Sequence, residues 1–547
     1  MAYKDTRNPD NNIVLTKSLG IAIRPNANVR EKITARNVCV LGGTDANKTT
    51  GFVMPSPLQL RADRDMVVVD PKGTTLATCG HALVAAGIDV NVFNTVDMGM
   101  SDRYNPLANV RNYREVADFA TCLVKNTNNG RESSDPIWDN GEALRVWHEF
   151  RHGTGKTPKS FVTSSHTRLA YLSTPDVLRL LAAGDGRDEI HPERLGQVED
   201  EWGRTLRPRV IFVVSSDFND NLNALLSIMM RQAIYLPMST ADTRNSGKLP
   251  RPVSLVFDEF KNIGKIGSFV QTIAVVRSRN IDVAIMLQNA SQLEEVYGKE
   301  GAATIRGNCA TTVYLGGGRD FATTKQISEE TGKETVYKYD WSRQGSGIGA
   351  ASTRQRNSLA RDVYDPNEVS TLPATKALVL IGDKQPIVDD KSLVWEHRNY
   401  GPAYMGMEPE RAFDYLAWKR AGRPMGDDLA SWESTHFDAV VPARRARQLA
   451  VRQYRLALHE MAEAQESGTD DHVARARTRF LEAHAESARV RLAVAERSAR
   501  RAAGATDDGG LTLRDLDAAE TAEWLVEADV RSTLGPQEAS AALELFG

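Results

Sequence analysis

A chain of 547 residues with a formal net charge of −3 is large enough for two or three domains and has no global field of either sign. Any contact with nucleic acid must therefore use local patches. The four cysteines, Cys39, Cys79, Cys122 and Cys309, are scattered without metal-ligand spacing, which argues against a cysteine metal site and suits the reduced cytosol.

Residues 1–36 hold Lys4, Asp5, Arg7, Asp10 and Arg24. They contain no apolar run near the roughly 20 residues that cross a bilayer, and nothing like a signal peptide. The expectation is an N-terminal segment without a transmembrane helix. The protein would be cytoplasmic, with no direct membrane span, and peripheral at the inner face of the cell membrane only through partners.

The first buried strand is predicted at Val38-Cys39-Val40-Leu41, with Cys39 a small core residue. Behind it, Gly42-Gly43-Thr44-Asp45-Ala46-Asn47-Lys48-Thr49-Thr50 fits G-x-x-x-x-G-K-[ST] at Gly42, Lys48 and Thr49. Asn47 stands where the second glycine belongs. A loop of this kind cradles the phosphates of ATP on its backbone N–H groups and on those of a helix that begins near Lys48. Gly42, Gly43, Asn47, Lys48, Thr49 and Thr50 are the candidate nucleotide-binding residues. Lys48 would reach the β- and γ-phosphates, and Thr49 would offer its hydroxyl to Mg²⁺. Asn is the least damaging replacement for that glycine, because it tolerates left-handed backbone better than most residues. Its side chain still crowds the site, and Asp45 adds negative charge beside an anionic ligand.

Met66-Val67-Val68-Val69 reads as the next strand and runs into an Asp70-Pro71-Lys72-Gly73 turn, where Asp70 and Lys72 could meet nucleotide or a subunit interface. Two imitations of chemistry follow. His148-Glu149-Phe150-Arg151-His152 spells the zinc-hydrolase helix H-E-x-x-H, but Pro158 stands where a third histidine would be, and two surface histidines account for it better. Gly153-Thr154-Gly155-Lys156-Thr157 copies the end of a phosphate loop, yet its first glycine would be Phe150 and no strand precedes it. It reads as a flexible, basic turn.

The strongest signal is Val253-Ser254-Leu255-Val256-Phe257 running into Asp258-Glu259. A buried parallel strand ending in two carboxylates is how P-loop NTPases hold Mg²⁺ and polarise the attacking water. Asp258 would take the metal, and Glu259 would orient or deprotonate the water. Strands alternating with amphipathic helices from residue 37 onward indicate an α/β fold, a parallel sheet with helices on both faces.

From about Tyr404 the character changes. Arg444, Arg445, Arg447, Arg452 and Arg455 crowd one segment, and Arg475 to Arg501 form another, with a capping turn at Ser467–Asp471 between them. A helical hairpin is expected. Its arginines could bind phosphate or an acidic partner; a solvated face laced with i,i+4 Glu–Arg pairs is an equal account, and few aromatics are there to stack on bases. Beyond Gly504 the chain is acidic and glycine-bearing, ending in a short amphipathic tail.

Taken in order, these segments resemble the coupling-protein ATPases of conjugative type IV secretion systems, the TraG/TraD-like family. The resemblance runs through the Asp-Pro-Lys-Gly turn, Val90–Asn94, Ser101–Leu107, Asn126–Asn128, Ser133–Trp138 and Val210–Val214. Beyond the acidic strand it continues through Arg277-Ser278-Arg279, Met286-Leu287-Gln288, Leu315-Gly316-Gly317, Leu378–Ile381 and Lys384-Gln385-Pro386, covering roughly 36–395. It implies a RecA-like P-loop NTPase domain in two parts, 37–112 and 206–400. An all-helical insertion at 113–205 would interrupt it, and a helical C-terminal extension at 401–547 would follow. It implies that Gln288, after the strand Ile281–Leu287, senses the γ-phosphate or the attacking water. Arg277 would act in trans on the neighbouring subunit's site, with Arg279 a solvated neighbour. It also implies a homo-hexamer that delivers relaxase-bound single-stranded DNA to the secretion channel at the expense of ATP.

Two rival functions stand beside that one. In the first, Asn47 and Asp45 abolish hydrolysis and the chain is a scaffold that recruits the DNA–relaxase complex without pumping. The second is a zinc hydrolase built on His148 and His152.

Overall fold

The computed structural model describes residues 11–23, 36–59, 64–110, 115, 173–182, 189–200, 202–215, 222–318, 320–344, 351–382, 384–400, 412–466, 472–502, 510–534 and 536–543. The H-E-x-x-H segment, Gly153–Thr157, Asn126–Asn128, Ser133–Trp138, Cys122 and the Ser467–Asp471 turn lie outside these residues. The chain divides into two units, Met1–Tyr404 and Met405–Gly547.

The strands of the first unit are β1 (Asn12–Val14), β2 (Gly20–Ala22), β3 (Val38–Leu41), β4 (Asp65–Val69), β5 (Asp89–Asn94), β6 (Arg209–Val214), β7 (Val253–Phe257), β8 (Ile281–Leu287), β9 (Thr311–Tyr314), β10 (Lys333–Gln344), β11 (Ala351–Asp362), β12 (Lys376–Ile381) and β13 (Ile387–Asp390). Nine of them form one sheet in the order β13-β12-β9-β3-β8-β7-β4-β6-β5. From β9 to β5 every neighbour is parallel, whereas β12 runs antiparallel to both β9 and β13. The central parallel strands β3, β4, β6 and β7 are nearly continuous apolar runs because both of their faces are covered. Cys39, Leu41, Val67, Val69 and Phe257 pack with Leu225, Met229 and Met230 of the helix Asn223–Arg244. Val38, Val40 and Val68, which alternate with them, are equally buried. Burial also pushes the Cys39 thiol up to about 12, so it is an inert core residue.

The sheet order places the site. β8 lies between β3 and β7, with Leu41 opposite Leu287 and Phe257 opposite Ile285. The loop after β3, the acidic turn after β7 and Gln288 after β8 therefore emerge side by side at the carboxyl edge, where open parallel sheets bind ligands.

Other parts of this unit add to the plan drawn from sequence. β1 and β2 form a hairpin docked on β13: the Lys17 amide donates to the Asp390 carbonyl at 2.8 Å, and the Asp389 carboxylate accepts from Thr16 Oγ1 at 2.6 Å and from the Ser18 amide at 2.9 Å. Of the stretch expected as an insertion, the helix Pro175–Leu181 and the residues that follow supply Leu180, Ile190 and Leu195 to the core beneath the sheet. β10 and β11 pair as an antiparallel ribbon of two twelve-residue strands separate from the main sheet.

The second unit is helical, with helices at Tyr415–Arg420, Asp427–Glu466, His472–Ala502, Leu513–Thr533 and Pro536–Leu543. The two long helices pack together, and Leu513–Thr533 packs on His472–Ala502. Thr512 and Asp515 form a capping box at its start, a sequence signal inside the stretch that composition alone marks as acidic and glycine-bearing. Arg447, Arg479 and Arg491 pair between helices with Glu496, Asp529 and Glu520 at 3.2, 2.9 and 2.7 Å. Among the described residues no helix is long and apolar enough to cross a membrane.

Candidate nucleotide site

The loop after β3 is held from three sides. The Gly42 amide donates to the Leu287 carbonyl at 3.1 Å, and the Gly43 amide to the Gly316 carbonyl at 3.0 Å. The Lys391 ammonium, buried just beyond β13, donates to the Ala46 carbonyl at 3.0 Å. Gly43 is required by close approach: a Cβ there would lie 2.2 Å from the Gly317 carbonyl oxygen. Asp45 and Asn47 both take left-handed backbone, each at φ +62°. Asn47 thus supplies the conformation that a glycine would supply, and its side chain, like that of Asp45, is exposed.

The helix expected to open near Lys48 is only a five-residue π-helical segment, Thr49–Val53, with Gly51 N–H bonded to the Asn47 carbonyl at 2.7 Å and Met54 N–H to the Thr49 carbonyl at 2.9 Å. Pro55 and Pro57 stop it, since proline donates no N–H and disfavours helical backbone in the residue before it.

The side chains converge. Lys48 Nζ donates to the carbonyls of Gly42 and Gly43 at 2.8 and 3.1 Å and lies 4.0 Å from Glu259 Oε1. Thr49 Oγ1 donates to Asp258 Oδ2 at 2.7 Å. Burial holds the Asp258 carboxyl above its usual range; the Thr49 bond and Lys48 oppose the shift and the neighbouring Glu259 charge adds to it. Gln288 Nε2 donates to both carboxylate oxygens of Glu259 at 3.3 and 3.2 Å, while the Gln288 amide donates to Gln292 Oε1 at 2.8 Å.

Glu259 itself sits at φ +47°, ψ +55°, costly backbone for a side chain this large. The next residue explains its persistence. Phe260 is buried, with ring centroids 5.6 Å from Phe257, 5.2 Å from Phe269 and 6.0 Å from Tyr297. Turning Phe260 into that cluster leaves Glu259 on the outside of the bend, facing the loop.

Together these residues line a cleft of about 570 Å³ that Thr50, Asp70, Lys72 and Gln292 also border. Asp70 is fully buried, accepts the Leu76 amide at 2.9 Å and is pushed up to about 6 by burial, against the N–H bonds it receives. The hydroxyl of Thr49 and the carboxylate of Asp258 are hard oxygen ligands side by side, as Mg²⁺ requires when phosphates and water complete its shell. Among the described residues no cluster of three His, Cys, Asp or Glu forms an all-protein metal cage.

One predicted residue is not brought to the cleft. Arg277 is exposed on the 3₁₀ turn Val276–Arg279, before the amino end of β8, whereas Gln288 follows its carboxyl end. A seven-residue strand separates them, roughly 20 Å. Arg279 is tied to Asp242 at 2.9 Å. Lys391, Gln292 and the role of Gly317 were not foreseen from sequence; the Gly316-Gly317 pair, both at positive φ, was the signal available.

Residues 252–374 match the family described as the TraM recognition site of TraD and TraG, and residues 10–149 match the one described as type IV secretory system conjugative DNA transfer. No curated protein sequence matches the chain. Among solved structures, the bacterial conjugative coupling protein TrwBdeltaN70 in its unbound form is 21% identical, covering 68% of this chain and 88% of that one with a TM-score of 0.50. The plasmid coupling protein TrwB in complex with ADP and Mg²⁺ is 19% identical over the same shares, at 0.47. VirB4 of Thermoanaerobacter pseudethanolicus is 13% identical, covering 72% and 99%, at 0.44. The fold, a mainly parallel nine-stranded sheet with helices packed on it, is shared with the TrwBdeltaN70 structure.

Proposed function

The chain belongs to the coupling-protein family of conjugative type IV secretion, and from that premise we propose that it is an ATPase whose turnover delivers relaxase-bound single-stranded DNA to the transfer channel. The observation that carries the reading is the convergence of Lys48, Thr49, Asp258, Glu259 and Gln288 at one edge of the sheet.

Each residue has work it can do there. Lys48 and the amides of the loop would bind the phosphates of ATP, with Gly42, Gly43, Asn47 and Thr50 setting the path of the backbone. Thr49 and Asp258 would hold Mg²⁺, which when bound neutralises charge on the phosphoryl oxygens. Glu259 would take a proton from the attacking water. Gln288 fixes that carboxylate through two hydrogen bonds, so its orientation is set before reaction. Arg277 lies at the wrong end of β8 to serve its own cleft. The same placement suits an arginine lent to the next subunit of a head-to-tail ring, a homo-hexamer in this reading. Relaxase, single-stranded DNA and the secretion channel are the partners, and contact with the membrane would come through them.

The test is ATP hydrolysis by the purified protein with and without single-stranded DNA, beside Glu259→Gln. DNA-stimulated turnover lost in the variant supports the motor. Absence of both binding and turnover in the unaltered protein would replace it with the scaffold.

A further inference from the structure

The β10–β11 ribbon has two unlike faces. It carries six Lys or Arg against three Asp or Glu, in a chain whose net charge is −3. Residues directly opposite in an antiparallel pair share a face, so the register places Thr335, Tyr337 and Tyr339 with Ala360, Ser358 and Arg356. On that face Tyr337 and Tyr339 are 49% and 44% exposed, and the Arg356 guanidinium lies 3.5 Å from the Tyr337 ring centroid. The alternation continues in register to the pair Trp341–Arg354.

The opposite face cancels its charge locally. Lys338 pairs with Asp340 at 3.4 Å, Asn357 donates to Asp340 at 3.0 Å, and Arg361 pairs with Glu368. The acidic residues Glu334 and Asp340 both fall on that side. On the first face Lys333 pairs with Asp362 at 3.8 Å at one end, and Tyr337 and Tyr339 stand exposed beside Arg356.

We infer that this face of the ribbon is a binding site for single-stranded nucleic acid, with Tyr337 and Tyr339 stacking on bases and Arg356 meeting the backbone. Aromatic rings accept any base because each has a π-face, and guanidinium groups between them follow the phosphates. The arginine-rich helices of the second unit are the obvious alternative by composition. Arg447, Arg479 and Arg491 there are already satisfied by carboxylates, and few rings accompany them. A two-stranded ribbon exposed on both sides is marginal by itself, which also suits an element kept for contact. The inference deepens the function proposed above and rests on it for the identity of the strand as DNA; ATP turnover is not needed for it.

The experiment is fluorescence anisotropy of labelled oligothymidylate titrated with the full-length protein, without nucleotide and at several salt concentrations. Tyr337→Ala and Tyr339→Ala remove no charge and should each weaken binding about 5- to 150-fold. Tyr337→Phe keeps the ring and should bind as the unaltered protein does. Arg356→Ala should weaken binding and lower the salt slope by about 1. Lys338→Ala, one positive charge fewer on the opposite face, should stay within about twofold. Unchanged circular dichroism confines the losses to the surface. Alanine variants that bind normally, or an unaltered protein that does not bind, overturn the inference and leave the face to a protein partner. ATP turnover measured on the same preparations separates the two readings. A non-hydrolysing protein that binds through the ribbon removes the motor alone, and a hydrolysing one indifferent to the ribbon variants removes the site alone.

Discussion

Replacing Gly43 with alanine is the sharpest test of how the loop is held. The added Cβ would lie 2.2 Å from the carbonyl oxygen of Gly317, 2.5 Å from its carbonyl carbon and 2.8 Å from the Gly318 nitrogen. All three are backbone atoms, so no side-chain rotation relieves the contact. Restoring van der Waals separation needs a shift of about 1 Å between the loop and residues 316–318. That shift strains the Gly43–Gly316 hydrogen bond of 3.0 Å and moves the two carbonyls that position Lys48. Overpacking of this kind costs about 1 to 3 kcal/mol, and a weakened hydrogen bond adds up to about 1 kcal/mol. A displacement of about 1 Å in a phosphate cradle lowers turnover by roughly 100-fold. Thermal unfolding and ATP turnover should therefore fall together in Gly43→Ala. Gly51→Ala is the control, since its Cβ would meet nothing nearer than 3.8 Å. A Gly43→Ala protein with the stability and turnover of the parent would show that the 316–318 segment does not brace the loop.

Asn47→Ala should weaken ATP binding by roughly 5-fold, about 1 kcal/mol for left-handed backbone without an amide side chain, while Asn47→Gly should bind at least as well as the parent; equilibrium binding of a fluorescent ATP analogue decides it. Lys391→Met keeps the volume but strips the Ala46 carbonyl of its buried partner, so KM for ATP should rise about 5- to 10-fold; an unchanged KM would make Lys391 a packing residue only. Asp70 titrates near 6 in the fold against about 4 in the unfolded chain, so the native state holds the extra proton and the stabilisation it brings is complete below pH 4 and lost as pH rises through 6. Asp70→Asn should accordingly gain ~2 to 3 kcal/mol in urea unfolding at pH 7.5, with the gain vanishing near pH 4; a loss of equal size at both pH values would mean that the carboxylate is structurally required.

The parallel strands were legible because burial on both faces writes them as apolar runs, as at Val38–Leu41, Val253–Phe257 and Ile281–Leu287. The cleft followed, since its residues sit at the ends of those runs. What stayed hidden has a common cause. The β10–β11 ribbon is exposed on both sides, so although Tyr337-Lys338-Tyr339-Asp340-Trp341 alternates aromatic with charged residues, no apolar run marks it as part of the core. Lys391 and Gly317 reach the loop from strands far along the chain, and no local pattern announces a contact between residues 46 and 391. The left-handed turn at Glu259 is likewise set by the ring cluster around Phe260, which draws on Phe269 and Tyr297. The helix expected to begin near Lys48 is cut to the five residues Thr49–Val53 for a local reason that was readable, the prolines at 55 and 57.

The departure of the loop from G-x-x-x-x-G-K-[ST] then takes on a physical meaning. A glycine at position 47 would offer two things, a left-handed backbone and room for the phosphates. Asn47 supplies the first at φ +62°, a value asparagine reaches more cheaply than most residues. Room depends on where the side chain goes, and those of Asn47 and Asp45 are exposed while the loop's interior is filled by Lys48. Close approach is needed elsewhere, at Gly43 against Gly317, and there the glycines are present. The remaining demand is rigidity, met by Gly316, Leu287 and the buried Lys391 bonding to three points along the loop. The demands of a phosphate loop are distributed here over residues that the pattern does not score, so the missing glycine by itself is weak evidence for a scaffold. The weight falls on the acidic turn instead: if ATP binds and does not turn over, the strained Glu259 and its Gln288 partner are where the defect lies.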